Sequence, residues 1–412
     1  MIRIFQVAGR PENYDEKEFV LDGKSYRTIL CSDALRKHLE KEGKIARLTI
    51  LVPESLLVDL NEFSEKLRER GIDDFDAAII PSIGKFGQIE FRGSIETITT
   101  AIFLQLIKNK PDEFYIDVST GFNIYTVSLL EVAKRYITFR KLEGLLQGKD
   151  EIRAYALFTP PVMKNVDRYF AEIQPIDARA FFSLPDANID RIAFGEQRDR
   201  LAELNRSGTE IKRRFRKMYE ELKLAYNSMR LNVPLAFYEL LDFSDTVKEE
   251  EITEFIEKFL EPVKTGDAVE RLNVDGVNVA NIFYAVALHR SFKEFADSLS
   301  EPDVDEIWEK FSRLYRVKNL GIGINEYFLQ RDLDEIREMG KKLGENEEEI
   351  LGKLKHGENF TESANRKRNF FAHSGFLYEW TILRKYGGKI LLCWIGDGKR
   401  EIINWLLEPD RN

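Results

Sequence analysis

The stretch EFYIDVSTGFNIYTVSLLEVAKRY, residues 113–136, decides how the first part of the chain is built. An apolar run, short enough for a buried strand, ends on Asp117, and the apolar residues that follow recur at helical spacing. Between the two lie Ser119, Thr120 and Gly121. Hydroxyls and free backbone N–H groups at such a strand-to-helix turn favour phosphate or ribose oxygens, and Gly121 permits close backbone approach. The plainer alternative is a tight turn whose hydroxyl caps the helix.

Working outward, strands are predicted at IRIFQV, ARLTILV, DAAIIPS, EFYIDVS and RAYALFTP, with helices over 28–42, 54–70, 94–108 and 121–135. Short strands joined by helical crossovers make an α/β domain of Rossmann-like type with a largely parallel sheet, extending to about residue 175 and carrying its ligand loops at the carboxyl ends of the strands. Two further strand ends belong beside the first turn. One runs Ala8, Gly9, Arg10, Pro11, Glu12, Asn13, Tyr14; the other Pro81, Ser82, Ile83, Gly84. Arg10 offers a phosphate contact, and Gly9, Asn13, Ser82 and Asn123 complete the candidate pocket around Asp117, Ser119, Thr120 and Gly121. Tyr14 or Phe122 can stack on a base or serve the core. The dinucleotide fingerprint GxGxxG is absent, which lowers the case for an NAD enzyme.

Beyond residue 175 the strand signals almost vanish and helical periodicity runs over 208–229, 247–259, 279–299 and 303–316. NVDGVN and NLGIGINEY read as connections, and GENEEEI as a solvated helix face. The end is predicted as a short strand pair beginning with KILLCWIG, then a last helix. Three units follow: 1–175, a helical linker region 176–330 in which a helix-turn-helix stays open, and 331–412.

With 412 residues and 43% hydrophobic content the chain can bury more than one core without disulfide or metal. Cys31 and Cys393 stand far apart with no CxxC or His partner at ligand spacing, so no metal site is expected and a reducing cytoplasm is the simplest compartment. No leader pattern and no membrane span is expected. A net charge of -9 argues against a general duplex-DNA binder but leaves room for a local RNA site.

The sharpest chemical feature is NRKRNFFAHSGF, residues 365–376. On a helix Asn369 and His373 share a face, and Arg368 has the reach to join them, so three polar groups are expected to converge. Histidine moves protons near neutral pH, arginine clamps a phosphate and stabilises its transition state, and asparagine orients either. These parts can drive an RNA 2′-hydroxyl onto the adjacent phosphorus without an obligatory metal. The bland reading makes Arg368 a surface cation and His373 a hydrogen-bonded helical histidine. Against it, Arg366, Lys367, Arg384, Lys385 and Lys389 make the neighbourhood basic, while Phe370, Phe371 and Phe376 can pack the helix.

This string resembles the R-N/D/H-x-x-x-H motif of HEPN ribonucleases, in which Arg and His of two protomers form one composite site. The loop holding Asp117, Ser119 and Gly121 resembles the D-x-[ST]-x-G turn of the CRISPR-associated Rossmann fold, or CARF domain. A CARF-like first half joined through helices to a HEPN-like end is similar to the Csx-one and Csm-six accessory ribonucleases of type III CRISPR systems, with VAGRPENY and PSIG closest to the Csx-one branch. The resemblance implies a homodimer or higher homo-oligomer, activation by cyclic oligoadenylate (cyclic tetra-adenylate first), and cleavage of single-stranded RNA. Composition and spacing do not supply those points.

His38, His289 and His356 compete little with His373. Two rivals stand: a ligand-sensing regulator whose helical middle binds DNA, and a toxin-like nuclease without a small-molecule switch.

Overall fold

A computed structural model describes every residue except Leu57, 120–122, Asp150, 161–162, Lys164, Glu196, Asp245, 358–359 and Asn412. The first part contains β1 (Ile2–Val7), β2 (Lys17–Leu21), β3 (Lys24–Thr28), α1 (Cys31–Lys41), β4 (Ala46–Pro53), α2 (Leu60–Glu69), β5 (Phe75–Ile80), β6 (Gly84–Phe86), β7 (Ile89–Arg92), α3 (Ile95–Asn109), β8 (Glu113–Asp117), α4 (Asn123–Glu143), β9 (Arg153–Phe158), β10 (Arg168–Phe170) and β11 (Glu172–Pro175).

Its central sheet has the order β11-β9-β8-β1-β4-β5, parallel except for β11. Every residue of β8 is buried, as expected of a central strand covered on both faces. On one face, Leu35 and Leu39 of α1 and Phe63 and Leu67 of α2 pack on Ile4, Leu48 and Ile50. On the other, Ile98, Ile102 and Leu106 of α3 and Leu129, Val132 and Tyr136 of α4 cover Phe5, Phe114 and Ile116. Chain order reverses between β1 and β8, where Gln6 stands opposite Asp117. Such a switch point opens a crevice at the carboxyl ends of the two strands.

All five predicted strands and four helices of this part are present with shifted ends, and α4 runs on to Glu143, beyond the predicted 135. The first two helices begin later than predicted because other elements precede them. Residues 17–28 form the β2–β3 hairpin, turned by Asp22 and Gly23 at φ 46 and 75, the Asp-Gly pair that a tight hairpin turn favours. Asp59 caps α2 by accepting from the N–H groups of Asn61 and Glu62, so that helix starts at Leu60.

The middle holds β12 (Ala193–Phe194), α5 (Arg198–Ser207), α6 (Thr209–Arg230), α7 (Ala236–Glu239), α8 (Glu249–Leu260), β13 (Val263–Thr265), β14 (Ala268–Glu270), β15 (Asn273–Val274), α9 (Gly276–Ala296) and α10 (Val304–Tyr315). Its strands correct the expectation of a nearly strand-free region. β14 runs parallel to β7, giving a sheet β13-β14-β7-β6 built from both parts of the chain. NVDGVN is not a connection: Asn273–Val274 is β15, Asp275 caps α9 by accepting from Asn278 N–H, and the remaining residues begin that helix.

The end comprises α11 (Ile324–Gly340), β16 (Glu348–Ile350), α12 (Leu351–His356), α13 (Arg366–Ala372), β17 (Thr381–Tyr386), β18 (Lys389–Trp394) and α14 (Lys399–Leu407). The second half of NLGIGINEY is the start of α11 rather than a connection, so the boundary expected at 330/331 falls inside one helix. GENEEEI is not a helix face: Asn346 turns at φ 64 and Glu348–Ile350 is an edge strand on β17, with Glu348 paired to Arg384. The strand pair begins at Thr381, earlier than predicted, and turns through Gly387 and Gly388 at φ 58 and 78. One apolar cluster runs unbroken from α3 and α4, through Phe283 of α9, to Phe370, Trp394 and Leu406.

Candidate functional site

Two constellations emerge, one at each end of the chain. In the C-terminal one, α13 is fixed by Phe370, fully buried with its ring centroid 5.8 Å from that of Trp394 and 5.5 Å from that of Trp405. Burying such a ring contributes roughly 2–3 kcal/mol, enough to anchor a two-turn helix. The helix stops where the motif does. His373 is its C-cap, Ser374 and Gly375 take left-handed backbone at φ 50 and 79, and the N–H of Gly375 closes on the carbonyl of Phe370 at 2.9 Å. A Cβ on Gly375 would lie 2.6 Å from Val233 Cγ1, so only glycine fits.

Asn369 and His373 are one turn apart, His373 N–H donating to Asn369 C=O at 3.1 Å. Their side chains diverge. Asn369 Nδ2 donates to Ser363 Oγ at 2.8 Å, whereas His373, about a third exposed, turns Nδ1 toward Asp332 Oδ1 at 3.8 Å and lies 5.2 Å from the Tyr378 ring. Arg368 is exposed. No hydrogen bond, ion pair or ring contact joins the side chains of any two of the three among the described residues, so the convergence expected within one chain does not occur.

The basic neighbourhood is also smaller than its sequence suggests. Arg366 pairs with Glu362, Lys389 with Glu301 and Arg384 with Glu348, while Lys367 donates to the carbonyls of Glu408 and Arg411 and Lys385 to that of Leu343. Among the described residues of this stretch, Arg368 is the cation left without a partner.

Asp332 went unnoticed in the sequence. Its side chain is 5% exposed, accepts from Ser374 Oγ at 2.6 Å and from Arg331 Nη2 at 2.8 Å, and faces His373. Burial works against its charge, but the facing His373 and hydrogen bonds from Ser374 and Arg331 together hold the carboxyl below the usual range. Arg331 Nη2 also donates to Ala372 C=O at 3.2 Å. An acidic residue in a charged helix carries no special signal; only the fold brings it to the histidine.

In the N-terminal constellation, Gly9 and Ser119 stand just past the carboxyl ends of the adjacent strands β1 and β8. Gly9 N–H donates to Tyr14 Oη at 2.5 Å, so Tyr14 is tied to the loop. Burial, partly offset by that bond, pushes the phenol up to about 12. Arg10 is exposed and donates to Leu56 C=O at 3.0 Å; Asn13 and Asn123 are exposed.

Asp117 and Ser82 are interior. Asp117 is fully buried, accepts from the N–H of Ser119 at 2.9 Å and from its hydroxyl, and is raised by burial to about 6 against hydrogen bonds from Ser119 and the Ser32 backbone. Ser82 Oγ bonds Tyr125 Oη at 2.8 Å and Ser55 Oγ at 3.0 Å, while its N–H donates to Glu54, itself paired with Arg271 of the middle region at 2.5 Å. Thr120, Gly121 and Phe122 lie outside the described residues.

A Rossmann-like sheet with loops at its switch point, followed by helices and a histidine-bearing helix end, defines the CARF–HEPN class. Residues 3–161 match the model of the CRISPR system endoribonuclease Csx1, CARF domain, and residues 323–396 match that of the CRISPR system endoribonuclease Csx1, HEPN domain. Together these matches cover more than half of the chain, and the chain belongs to the Csx1 family. Its two domains are those of a CRISPR-associated, ligand-sensing ribonuclease. No curated protein matches it. Among the described residues no helix is long and apolar enough to cross a membrane.

Proposed function

We propose that this protein is an endoribonuclease of type III CRISPR defence that cleaves single-stranded RNA in the cytoplasm without a metal, acts as a homodimer and is switched on by a cyclic oligoadenylate, with cyclic tetra-adenylate favoured. One observation carries this reading: a part-exposed histidine with a buried carboxylate facing its Nδ1 stands at the end of the short helix that also bears Arg368, an exposed arginine with no partner among the described residues. In the reaction, His373 takes the proton of a 2′-hydroxyl. The freed oxygen bonds to phosphorus, the P–O5′ bond breaks, and a second acid protonates the leaving 5′-oxygen. The products are a 2′,3′-cyclic phosphate and a 5′-hydroxyl. Arg368 neutralises charge on the phosphate oxygens, and Asn369 holds the segment around Ser363. Asp332, the carboxylate at this site, is already engaged by Arg331, Ser374 and His373, which supports proton chemistry by the side chains themselves.

A single chain offers one such histidine and one such arginine, and the second acid is the partner subunit's His373. Support for pairing comes from α11, where Ile324, Tyr327 and Phe328 are exposed at helical spacing ahead of Arg331, an apolar stripe beside the site. At the other end, Gly9, Arg10, Asn13, Ser119 and Asn123 are the described residues available to a ring, and Thr120 and Gly121 are added to them from the sequence. Asp117 and Ser82 act from beneath, holding the loops by the hydrogen bonds given above. The cations at the start of α6 give little support to a DNA-binding role, since Lys212 and Arg216 pair with Asp190, Arg213 with Glu210 and Arg214 with Glu251.

The test is to incubate labelled single-stranded RNA with the protein in EDTA, with and without cyclic oligoadenylates. Cleavage only with a ring is expected. Cleavage without one would point to an unswitched nuclease, and tight duplex-DNA binding without cleavage to a regulator.

A further inference from the structure

We propose that Asp332 is the positioning residue for His373, and that Ser374 and Asn232 hold it to that task. The inference rests on the assignment of His373 as a proton carrier.

The order of contacts carries the argument. Asn232 Nδ2 donates to Ser374 Oγ at 2.8 Å, Ser374 Oγ donates to Asp332 Oδ2 at 2.6 Å, and Asp332 Oδ1 faces His373 Nδ1 at 3.8 Å. Asn232, Ser374 and Asp332 are all buried, at 5%, 1% and 4% exposure, so the arrangement is shielded from competing water. A hydroxyl has one proton. Because Ser374 gives its proton to the carboxylate, the lone pair that remains accepts from Asn232, and the direction of both bonds is fixed. Both Asn232 and Ser374 hold left-handed backbone, at φ 59 and 50, a conformation that costs a non-glycine residue energy and persists where the surroundings dictate it.

The consequence falls on the imidazole. A neutral histidine carries its proton on one nitrogen, and a carboxylate facing Nδ1 favours the form protonated there, leaving Nε2 as a bare acceptor. That nitrogen is the one a 2′-hydroxyl needs. Once Nε2 has taken the proton, the same carboxylate steadies the cation. Arg331 also binds Asp332 Oδ1, and the Tyr378 ring lies 5.2 Å from the imidazole; neither supplies an anion to Nδ1.

The test uses full-length protein labelled with 15N-histidine. Two-bond 1H–15N spectra identify His373 by its loss in His373→Ala and report which ring nitrogen carries the proton. Asp332→Asn keeps the shape and removes the charge. It is expected to shift His373 toward the Nε2–H form and to lower kcat by on the order of 10², with KM for RNA nearly unchanged; Asp332→Glu should restore part of the rate. Ser374→Ala and Asn232→Ala, which keep the carboxylate but free it to turn, should shift the tautomer in the same direction by less. An unchanged tautomer in Asp332→Asn overturns the proposal. If that variant does not fold, an unchanged tautomer in both of the others overturns it. If the wild-type protein cleaves no RNA under any activator, the proposed function fails, and the tautomer measurement still decides the role of Asp332.

Discussion

Asn232 and Ser374, 142 positions apart in the chain, meet in a buried hydrogen bond of 2.8 Å that fastens the end of α6 to the turn after His373. The same two segments interlock sterically, since Gly375 packs directly on Val233. Asn325 adds a third tie by donating to the carbonyls of Met229 and Arg230. The histidine thus sits on a turn whose shape is set by the middle region as well as by its own helix.

Gly375→Ala should therefore destabilise the protein by about 1–3 kcal/mol, from its positive φ and from the clash with Val233. Urea unfolding would measure it. Val233→Ala opens the missing space, so the double variant should be less destabilised than the sum of the two, with a coupling of at least about 0.5 kcal/mol. Strict additivity would show that the contact does not set the fit.

His373→Ala and Arg368→Ala are each expected to lower RNA cleavage by at least about 10², with thermal stability and ring binding preserved, because both groups act at the phosphorus. Asn369→Ala should cost less, since its side chain is engaged with Ser363 rather than with the other two. Mixing the His373→Ala and Arg368→Ala chains tests whether the residues work across protomers. Sedimentation that finds only monomers at working concentration would contradict the homodimer.

Arg10→Ala and Asn123→Ala should raise the activator concentration needed for half-maximal cleavage by about 3–30-fold and leave the rate at saturating ring nearly unchanged, as loss of one or two polar contacts would. Calorimetry should find one ring per two chains. One ring per chain would contradict a pocket shared across a two-fold axis.

The N-terminal fold was legible because buried parallel strands leave unbroken apolar runs, and helical crossovers leave a second period between them. The β2–β3 hairpin was also written in the sequence, in Asp22-Gly23, but short alternating segments are easily taken for loop. Other parts depend on tertiary contacts that no local pattern records. The pairing of β14 with β7 joins segments nearly 180 residues apart, and Asp332 reaches His373 across 41. The motif itself was visible, whereas its geometry was not: helical spacing put His373 on a face with Asn369, but the helix ends at His373, and the side chains part. Asp117 and Ser82 were recognisable as belonging to the loops, yet their burial follows from Ser119, Tyr125 and Ser55 folding over them.

Asp117 gives a prediction about pH. Its ordinary value is 3.8, and burial raises it to about 6 in the folded protein, so between these values the folded state binds a proton that the unfolded state has released. Stability from this group is therefore fully present below about pH 4 and is lost as pH rises toward and through 6. The distance between the two values corresponds to about 3 kcal/mol as an upper order of magnitude. Asp117→Asn retains an oxygen able to accept from the Ser119 N–H and hydroxyl. Its amide nitrogen would occupy the position of Oδ2, which has no hydrogen-bond partner, so it brings no charge but leaves buried N–H groups unpaired, a cost of about 1–3 kcal/mol that does not depend on pH. The stability of the variant relative to the wild type should therefore rise by up to about 3 kcal/mol between pH 4 and pH 8, as followed by urea unfolding across that range. Because the Ser119 turn keeps its bonds, the activator requirement should change by less than about 3-fold, whereas Asp117→Ala, which removes them, should raise it further. A wild-type stability curve parallel to that of Asp117→Asn from pH 4 to 8 would show that this carboxylate is not the titrating group.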